Sequence, residues 1–332
     1  MSERGFTVNY IVFDLEWNQP IDGKAFSERK LPFEIIEIGA VKLDENRNKI
    51  AEFSEIIRPQ VYKELNVHIK KILNTSMAEL MRGGTFYKIM ERFRRWYGED
   101  MIFCTWGIQD LTELQRNMTY YNMEPLSRSP LLFLNVQKMF AVHQGNPDKA
   151  YSLETAVDEA GLEKDIPFHR AFSDAYYTAK ILKLMTDDEM KAGITYDLYH
   201  IPFSEAGEIS IYDNGLGYFV SRGYKEREKI TGNRDIMALK CEMCGGAVIR
   251  KSVNWFSSNS KNYYCAGVCH KHGPIKGRLR VRHHDSGLYF AEKYTEYTTK
   301  EEVSELREKK RLLKEKQESE PVPVKESPAE DA

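Results

Sequence analysis

Tyr10-Ile11-Val12-Phe13-Asp14-Leu15-Glu16-Trp17-Asn18 sets four largely apolar residues directly before two carboxylates that flank a leucine. The apolar run is long enough for a buried strand. Side chains alternate across a strand, so Asp14 and Glu16 leave one face while Leu15 turns toward the core. Two carboxylates held side by side repel, and one stays protonated near neutrality unless a cation sits between them. A hard divalent ion such as Mg²⁺, which takes oxygen ligands and keeps several waters, is the natural occupant. A strand simply running out into solvent gives the same tripeptide, so the pair needs company before it defines a site.

Outward from this strand, the first 190 residues alternate strand-like and helix-like patterns. Residues 33–43 and 50–57 read as strands, and 61–98 takes helical spacing, with Phe86, Ile89, Met90, Phe93, Trp96 and Tyr97 on one stripe. Strands follow at 101–105 and 131–136. Helices are expected at 110–121, at 152–160 behind the capping Ser152, and at 171–184. This order predicts an α/β domain over 1–190, a mixed sheet flanked by helices. Residues 191–240 read as a connecting segment. In it Ile209-Ser210-Ile211 and Tyr218-Phe219-Val220 flank Asp213-Asn214-Gly215, a hairpin pattern. Residues 241–298 form a basic, cysteine-rich module, and 299–332 a charged helix followed by a proline-containing disordered tail.

Two further segments join the opening carboxylates. Phe103-Cys104-Thr105-Trp106-Gly107-Ile108-Gln109-Asp110 puts an acid just after a strand, at the mouth of a helix. His169-Arg170-Ala171-Phe172-Ser173-Asp174 precedes a helix striped with Ala175, Thr178, Ala179, Ile181 and Leu182. Separately, Asp110 reads as a charge favoured by the helix dipole, Asp174 as part of a solvated face and His169 as a loop residue. Together, in this order, they resemble the DEDDh family of 3′–5′ exonucleases, within the ribonuclease H-like fold. Asp14 and Glu16 match its first motif, Asp110 in Thr-Trp-Gly-x-x-Asp the second, and His169-x-x-x-x-Asp174 the third. The stretch Glu34-Ile35-Ile36-Glu37-Ile38-Gly39-Ala40-Val41 resembles the family's second strand, and the likeness spans about residues 8–186. The Asp-Leu-Glu-Trp-Asn opening and the Cys-Thr-Trp-Gly segment look most like the bacterial sporulation-inhibitor-type enzymes. Those are relatives of the eukaryotic nucleases that trim histone mRNA and small interfering RNA ends.

The resemblance implies that Asp14, Glu16, Asp110 and Asp174 hold two Mg²⁺ or Mn²⁺ ions, about 4 Å apart, around a scissile phosphate. His169 would take the proton of the attacking water, a task for which an imidazole titrating near neutrality is suited. Nucleoside 5′-monophosphates would leave from a 3′ end. Trp17 could stack a base or cover the core edge, and Asn18 beside it is a candidate substrate contact. Trp106 is expected to pack beneath the site. Glu37, unusual inside an apolar strand, reads as a polar group supporting the site or facing substrate, and the family offers a structural role as readily.

Cys241-x-x-Cys244 is followed after twenty residues by Cys265-x-x-x-Cys269. Two close pairs at that separation suit one structural Zn²⁺ in a zinc-ribbon-like small β module. The three-residue gap in the second pair puts Cys269 in question, with His270 or His272 as substitutes, and Gly245-Gly246 supplies turn freedom. Cys104, far away in a strand, reads as core. Lys276, Arg278, Arg280 and Arg282 alternate, which puts four cations on one strand face as a track for phosphates. Arg250, Lys251, Lys261 and Lys271 add to the basic block. Trp255, Phe256, Tyr263 and Tyr264 interleave with it as candidate base-stacking residues.

The 332-residue chain carries 48 Lys and Arg against 50 Asp and Glu, a net −2 that announces no partner. Residues 240–300 nevertheless hold eleven basic against four acidic side chains, a local +7 on a mildly acidic body. That asymmetry points to a polyanion, here single-stranded nucleic acid, with RNA favoured by the resemblance alone. Mean hydropathy is −0.55, and no run of about 18 apolar residues occurs, so no membrane partner is expected. The start lacks the pattern of a secretory signal, and the bunched cysteines do not resemble a disulfide framework. A cytoplasmic protein is expected. A DNA-directed exonuclease with the same site stays open, as does an inactive nucleic-acid-binding protein on this fold. The full set of acids argues against the latter, because a binder has no need to keep like charges together.

Overall fold

The computed structural model describes residues 8–21, 31–213, 216–241, 243–244 and 251–319. The chain divides into two compact units between His200 and Ile201. No helix among the described residues is long and apolar enough to cross a membrane.

In the first unit the elements run β1 (Asn9–Asn18), β2 (Glu34–Leu43), β3 (Lys49–Ile56), α1 (Val67–Leu73), α2 (Met77–Leu80), α3 (Phe86–Tyr97), β4 (Met101–Thr105) and α4 (Gln109–Tyr120). They continue with β5 (Leu131–Asn135), α5 (Val136–His143), α6 (Leu153–Glu159), α7 (Ala171–Leu184), α8 (Asp187–Ala192) and β6 (Ile194–Asp197). One mixed sheet orders the strands β3-β2-β1-β4-β5-β6. Strand β1 lies at its centre, antiparallel to β2 and parallel to β4.

The central strand is buried on both faces, each by a different helix layer. Ile11, Phe13 and Leu15 join Phe93, Phe103, Leu111, Leu114 and Met118 in one core. Val12, on the opposite face, joins Cys104, Leu134, Tyr177, Ile181 and Leu182 in the other. Cys104 is thus plain core. The helical stretch expected over 61–98 is three helices, because Asn74 caps α1 in the left-handed conformation (φ 46°) and Ser76 caps α2. The stripe Phe86, Ile89, Met90, Phe93 and Tyr97 is buried along α3 as its spacing requires, while Trp96 is only partly buried.

In the second unit β7 (Ile209–Asp213), β8 (Leu216–Val220), α9 (Glu228–Thr231), β9 (Lys251–Ser257), β10 (Asn262–Cys269), β11 (Gly273–His283), β12 (Tyr289–Tyr297) and α10 (Lys300–Ser319) follow in order. Six strands form one sheet, β7-β8-β12-β11-β10-β9. The β7–β8 pair realises the hairpin pattern. Its tip at 214–215, the Gly245-Gly246 pair, Arg250 and the tail beyond 319 lie outside the described residues, as does the side chain of Lys251. Leu279, Val281 and Ala291 pack with Ile230 and Ile236 on one face of the sheet. Val253 and Ala266 meet Val303 and Leu306 of α10 on the other.

Candidate active site

Beyond Val12, the β1 face that packs on α7 turns polar: its next two residues are Asp14 and Glu16. Their register partners on β2 are Gly39 and Glu37. Helix α7 begins directly over Gly39, where an added Cβ would fall 2.0 Å from Phe172 N and 2.2 Å from the Ala171 carbonyl carbon. Only glycine admits the helix so near the sheet, and that approach delivers Asp174 in the first turn of α7. Carboxylate oxygens of Asp14, Glu16 and Asp174 lie within 4.8 Å of one another.

Asp110 stands behind this trio. It is buried in the first turn of α4 and accepts a hydrogen bond from Leu15 N across 3.2 Å, fixing it against the backbone between Asp14 and Glu16. Burial and mutual repulsion push these acids up together. Burial, then Asp110, Asp174 and Glu16, hold Asp14 well above the usual carboxylate range. Burial and the Asp174 and Glu37 charges raise Glu16 to about 8. Burial outweighs the Leu15 N–H to raise Asp110 to about 7, and likewise outweighs the His169 N–H to raise Asp174 to about 6. Clustered oxygen donors that resist ionising together are the donor set that hard divalent cations neutralise.

His169 is exposed and adopts a left-handed backbone (φ 64°), with its N–H donating to Asp174 Oδ1 across 3.2 Å. Arg170 Nε reaches both oxygens of buried Glu37, at 2.9 and 3.2 Å. Glu37 therefore ties the His169 loop to β2, a structural role visible in sequence only as an acid in an apolar strand. Gly39 was not among the sequence candidates, although a glycine inside such a strand is itself a sign of close backbone approach.

Other sequence candidates fall elsewhere. Asn18 is fully buried and cannot touch a substrate. Its amide donates to Glu64 O (2.9 Å) and accepts from Asn66 N (3.0 Å), clamping the chain ahead of α1. Trp17 is partly buried against Phe33, with ring centroids 5.5 Å apart. Trp106 donates to Tyr151 O and packs on the second core.

In the second unit Cys241, Cys244, Cys269 and His272 bring their ligand atoms within 4.8 Å of one another, a cluster that fits a zinc module. Cys265 does not belong to it. Cys265 and Cys269 lie four residues apart on β10, whose pairing with β11 is unbroken. At about 3.3 Å per residue that is roughly 13 Å of strand, too far for one ion. His270 is exposed and stands outside the cluster. The thiol of Cys241 is pushed up by burial. Hydrogen bonds with Tyr297, the Cys244 backbone, Cys269 and His272 outweigh that and hold it at about 6.

The cationic track is shorter than the alternation suggested. Arg278, Arg280 and Arg282 are exposed on one face of β11. Arg282 is paired with Glu292 (2.8 Å), and Lys276 is held by Glu302 of α10 (2.9 Å) and Glu296 (3.2 Å). Among the described residues neither Arg278 nor Arg280 forms an ion pair. The aromatic candidates are engaged too. Trp255 donates to Met237 O, Tyr263 accepts from Arg227, and Lys309 and Lys310 of α10 lie over Tyr264 and Phe256. Half-exposed Tyr294, opposite Arg278 on β12 and against Tyr218, is the aromatic that sequence reading missed.

A ribonuclease H-like sheet whose central strand brings two acids together with one from the first turn of each of two helices defines a nuclease type of hydrolase. The model of the exonuclease (RNase T) family matches residues 11–182, just over half of the chain, and the chain belongs to that family. Among solved structures it is similar to a full-length 3′-exonuclease (16% identity, TM-score 0.48, covering 57% of this chain and 85% of that one). It is also similar to the nuclease domain of 3′hExo, a DEDDh family member bound to rAMP (16%, 0.48, 58% and 98%). A third is E. coli Exonuclease I with a dT13 oligonucleotide (12%, 0.43), where 64% of this chain spans 55% of that one. No curated protein matches it in sequence.

Proposed function

We propose that this chain is a divalent-metal-dependent 3′–5′ exonuclease that removes nucleoside 5′-monophosphates from single-stranded ends, with RNA as the preferred substrate. The gathering of Asp14, Glu16 and Asp174 within 4.8 Å, with Asp110 locked behind them, carries this reading. These four acids would hold two Mg²⁺ or Mn²⁺ ions. Such ions activate water and offset charge on the departing 3′ oxygen. His169 is assigned the proton transfer. Its backbone is tied to Asp174 while its ring is exposed to solvent, so it sits beside the acids and free to meet a substrate. The RNA preference follows from the likeness of the Asp14–Asn18 opening to the sporulation-inhibitor-type enzymes.

Arg278 and Arg280, with Tyr294 beside them, are assigned the grip on nucleic acid away from the reacting end. Cysteines without disulfide bridges suit a reducing cytoplasmic setting. The test is release of mononucleotides from end-labelled single-stranded RNA and DNA in Mg²⁺ or Mn²⁺. Faster release from RNA, lost in Asp14→Ala and strongly slowed in His169→Ala, is expected. Faster release from DNA would overturn the RNA assignment. Binding without release would replace the enzyme by an inactive nucleic-acid binder.

A further inference from the structure

We propose that Cys241, Cys244, Cys269 and His272 hold one structural zinc ion, independent of the carboxylate site. In these terms the sequence reads Cys-x₂-Cys, 24 residues, Cys-x₂-His, so both halves have the same two-residue gap. Cys269 belongs with the histidine that follows it, not with the cysteine that precedes it.

The distances suit a shared tetrahedral ion. Zn–S bonds of about 2.3 Å and Zn–N bonds of about 2.0 Å give tetrahedral edges near 3.8 Å for S···S and near 3.5 Å for S···N. Cys244 Sγ and Cys269 Sγ are 3.8 Å apart, and His272 Nδ1 lies 3.3 Å from Cys241 Sγ and 3.6 Å from Cys269 Sγ. A disulfide needs about 2.05 Å between sulfurs, and it would leave the other thiol and the imidazole converging on nothing. Three soft thiolates and one imidazole in this geometry select zinc over the oxygen-seeking ions of the carboxylate site.

The surroundings hold both halves in place. Trp255 Nε1 donates to Met237 O (2.7 Å), and Lys293 Nζ to Ile236 O (2.8 Å) and Ala238 O (2.9 Å), so the chain entering Cys241 is fixed to the sheet. Cys269 ends β10, and the turn into β11 presents His272. The Tyr297 hydroxyl of β12 lies 3.2 Å from Cys241 Sγ, where it can donate to a metal-bound thiolate, the kind of outer contact that orients such a ligand. Cys265 is instead packed in the sheet: a Cβ on its cross-strand partner Gly277 would lie 2.8 Å from Cys265 Sγ.

The test is elemental analysis of the full chain, purified without chelator, with an Asp14→Asn variant alongside to separate this ion from any bound by the acids. About one zinc per chain is expected in both proteins, and in Cys265→Ser. Cys269→Ser should lose it. Replacement by Co²⁺ in the native protein should give the visible bands of a tetrahedral site with three thiolate ligands, and His272→Cys should keep the metal with a fourth thiolate. Zinc absent from the native chain would overturn the proposal. So would zinc lost from Cys265→Ser, or an unchanged cobalt spectrum in His272→Cys. None of these outcomes bears on nuclease activity, which is read separately.

Discussion

Arg170 grips Glu37 through its Nε, at 2.9 and 3.2 Å from the two carboxylate oxygens, and so pins the residue next to His169 onto the second strand. Glu37 is buried and also accepts from the backbone of Ala171, so one side chain fixes both the loop and the start of α7. Glu37→Gln keeps the shape but weakens that grip. Mononucleotide release should slow by about 10-fold or more, as for partners that orient metal-site residues. Steady-state kinetics beside a melting curve would check it. An unchanged rate would show that the His169 loop is held by other means.

Gly39→Ala should be costly although only one methyl is added. That methyl would meet backbone atoms of Ala171 and Phe172 at 2.0–2.2 Å, and backbone cannot swing aside as a side chain can. Helix α7 would have to lift, at about 1–3 kcal/mol or more, carrying Asp174 away from β1. Denaturant unfolding should show the loss, and calorimetry should show weaker Mn²⁺ binding.

The raised carboxyl groups fix how stability should depend on pH. The folded, metal-free chain binds protons on Asp174 up to about pH 6, on Asp110 up to about 7 and on Glu16 up to about 8. The unfolded chain gives those protons up near pH 4. The native state is then the more protonated one, so its stability falls as pH rises through this window. Melting temperatures in EDTA should drop from pH 5.5 to pH 8.5. Added Mg²⁺ or Mn²⁺ should stabilise most at the alkaline end, where protons no longer compete. A stability that climbs with pH in EDTA would contradict the clustering.

Arg278 and Arg280 should matter for binding, and Lys276 for docking of the last helix. Replacing both arginines with alanine should weaken single-stranded binding and flatten the dependence of log K on log salt. The slope should change by about 0.7 for each phosphate that is no longer neutralised. Lys276→Ala breaks pairs with Glu302 and Glu296 and should loosen α10 while leaving that slope nearly unchanged. Titrations at several salt concentrations separate the two. Equal slopes in all three proteins would remove the arginines from the interface.

Much of the first unit could be read from local pattern. Ile11, Val12 and Phe13 announce a strand covered on both faces, and the α3 stripe announces a helix with one buried side. Trp17 and Asn18 looked alike as candidates because both follow the acids. Yet Asn18 spends its amide on the backbone at 64 and 66, partners 46 and 48 residues away that no local pattern announces. The exposed arginine face of β11 was visible as an alternation, but the acids that occupy Lys276 and Arg282 come from other elements.

Which residues carry the chemistry was already legible in the linear order, since periodicity and residue type are local properties: acids at a strand end, a histidine before a helix, cysteines in close spacing. Which of them meet depended on the packed chain. Gly39 brings Asp174 to Asp14 because backbone can approach backbone only where no Cβ intervenes. The extended pitch of β10 carries Cys265 away from Cys269, while the turn that follows folds His272 back beside it.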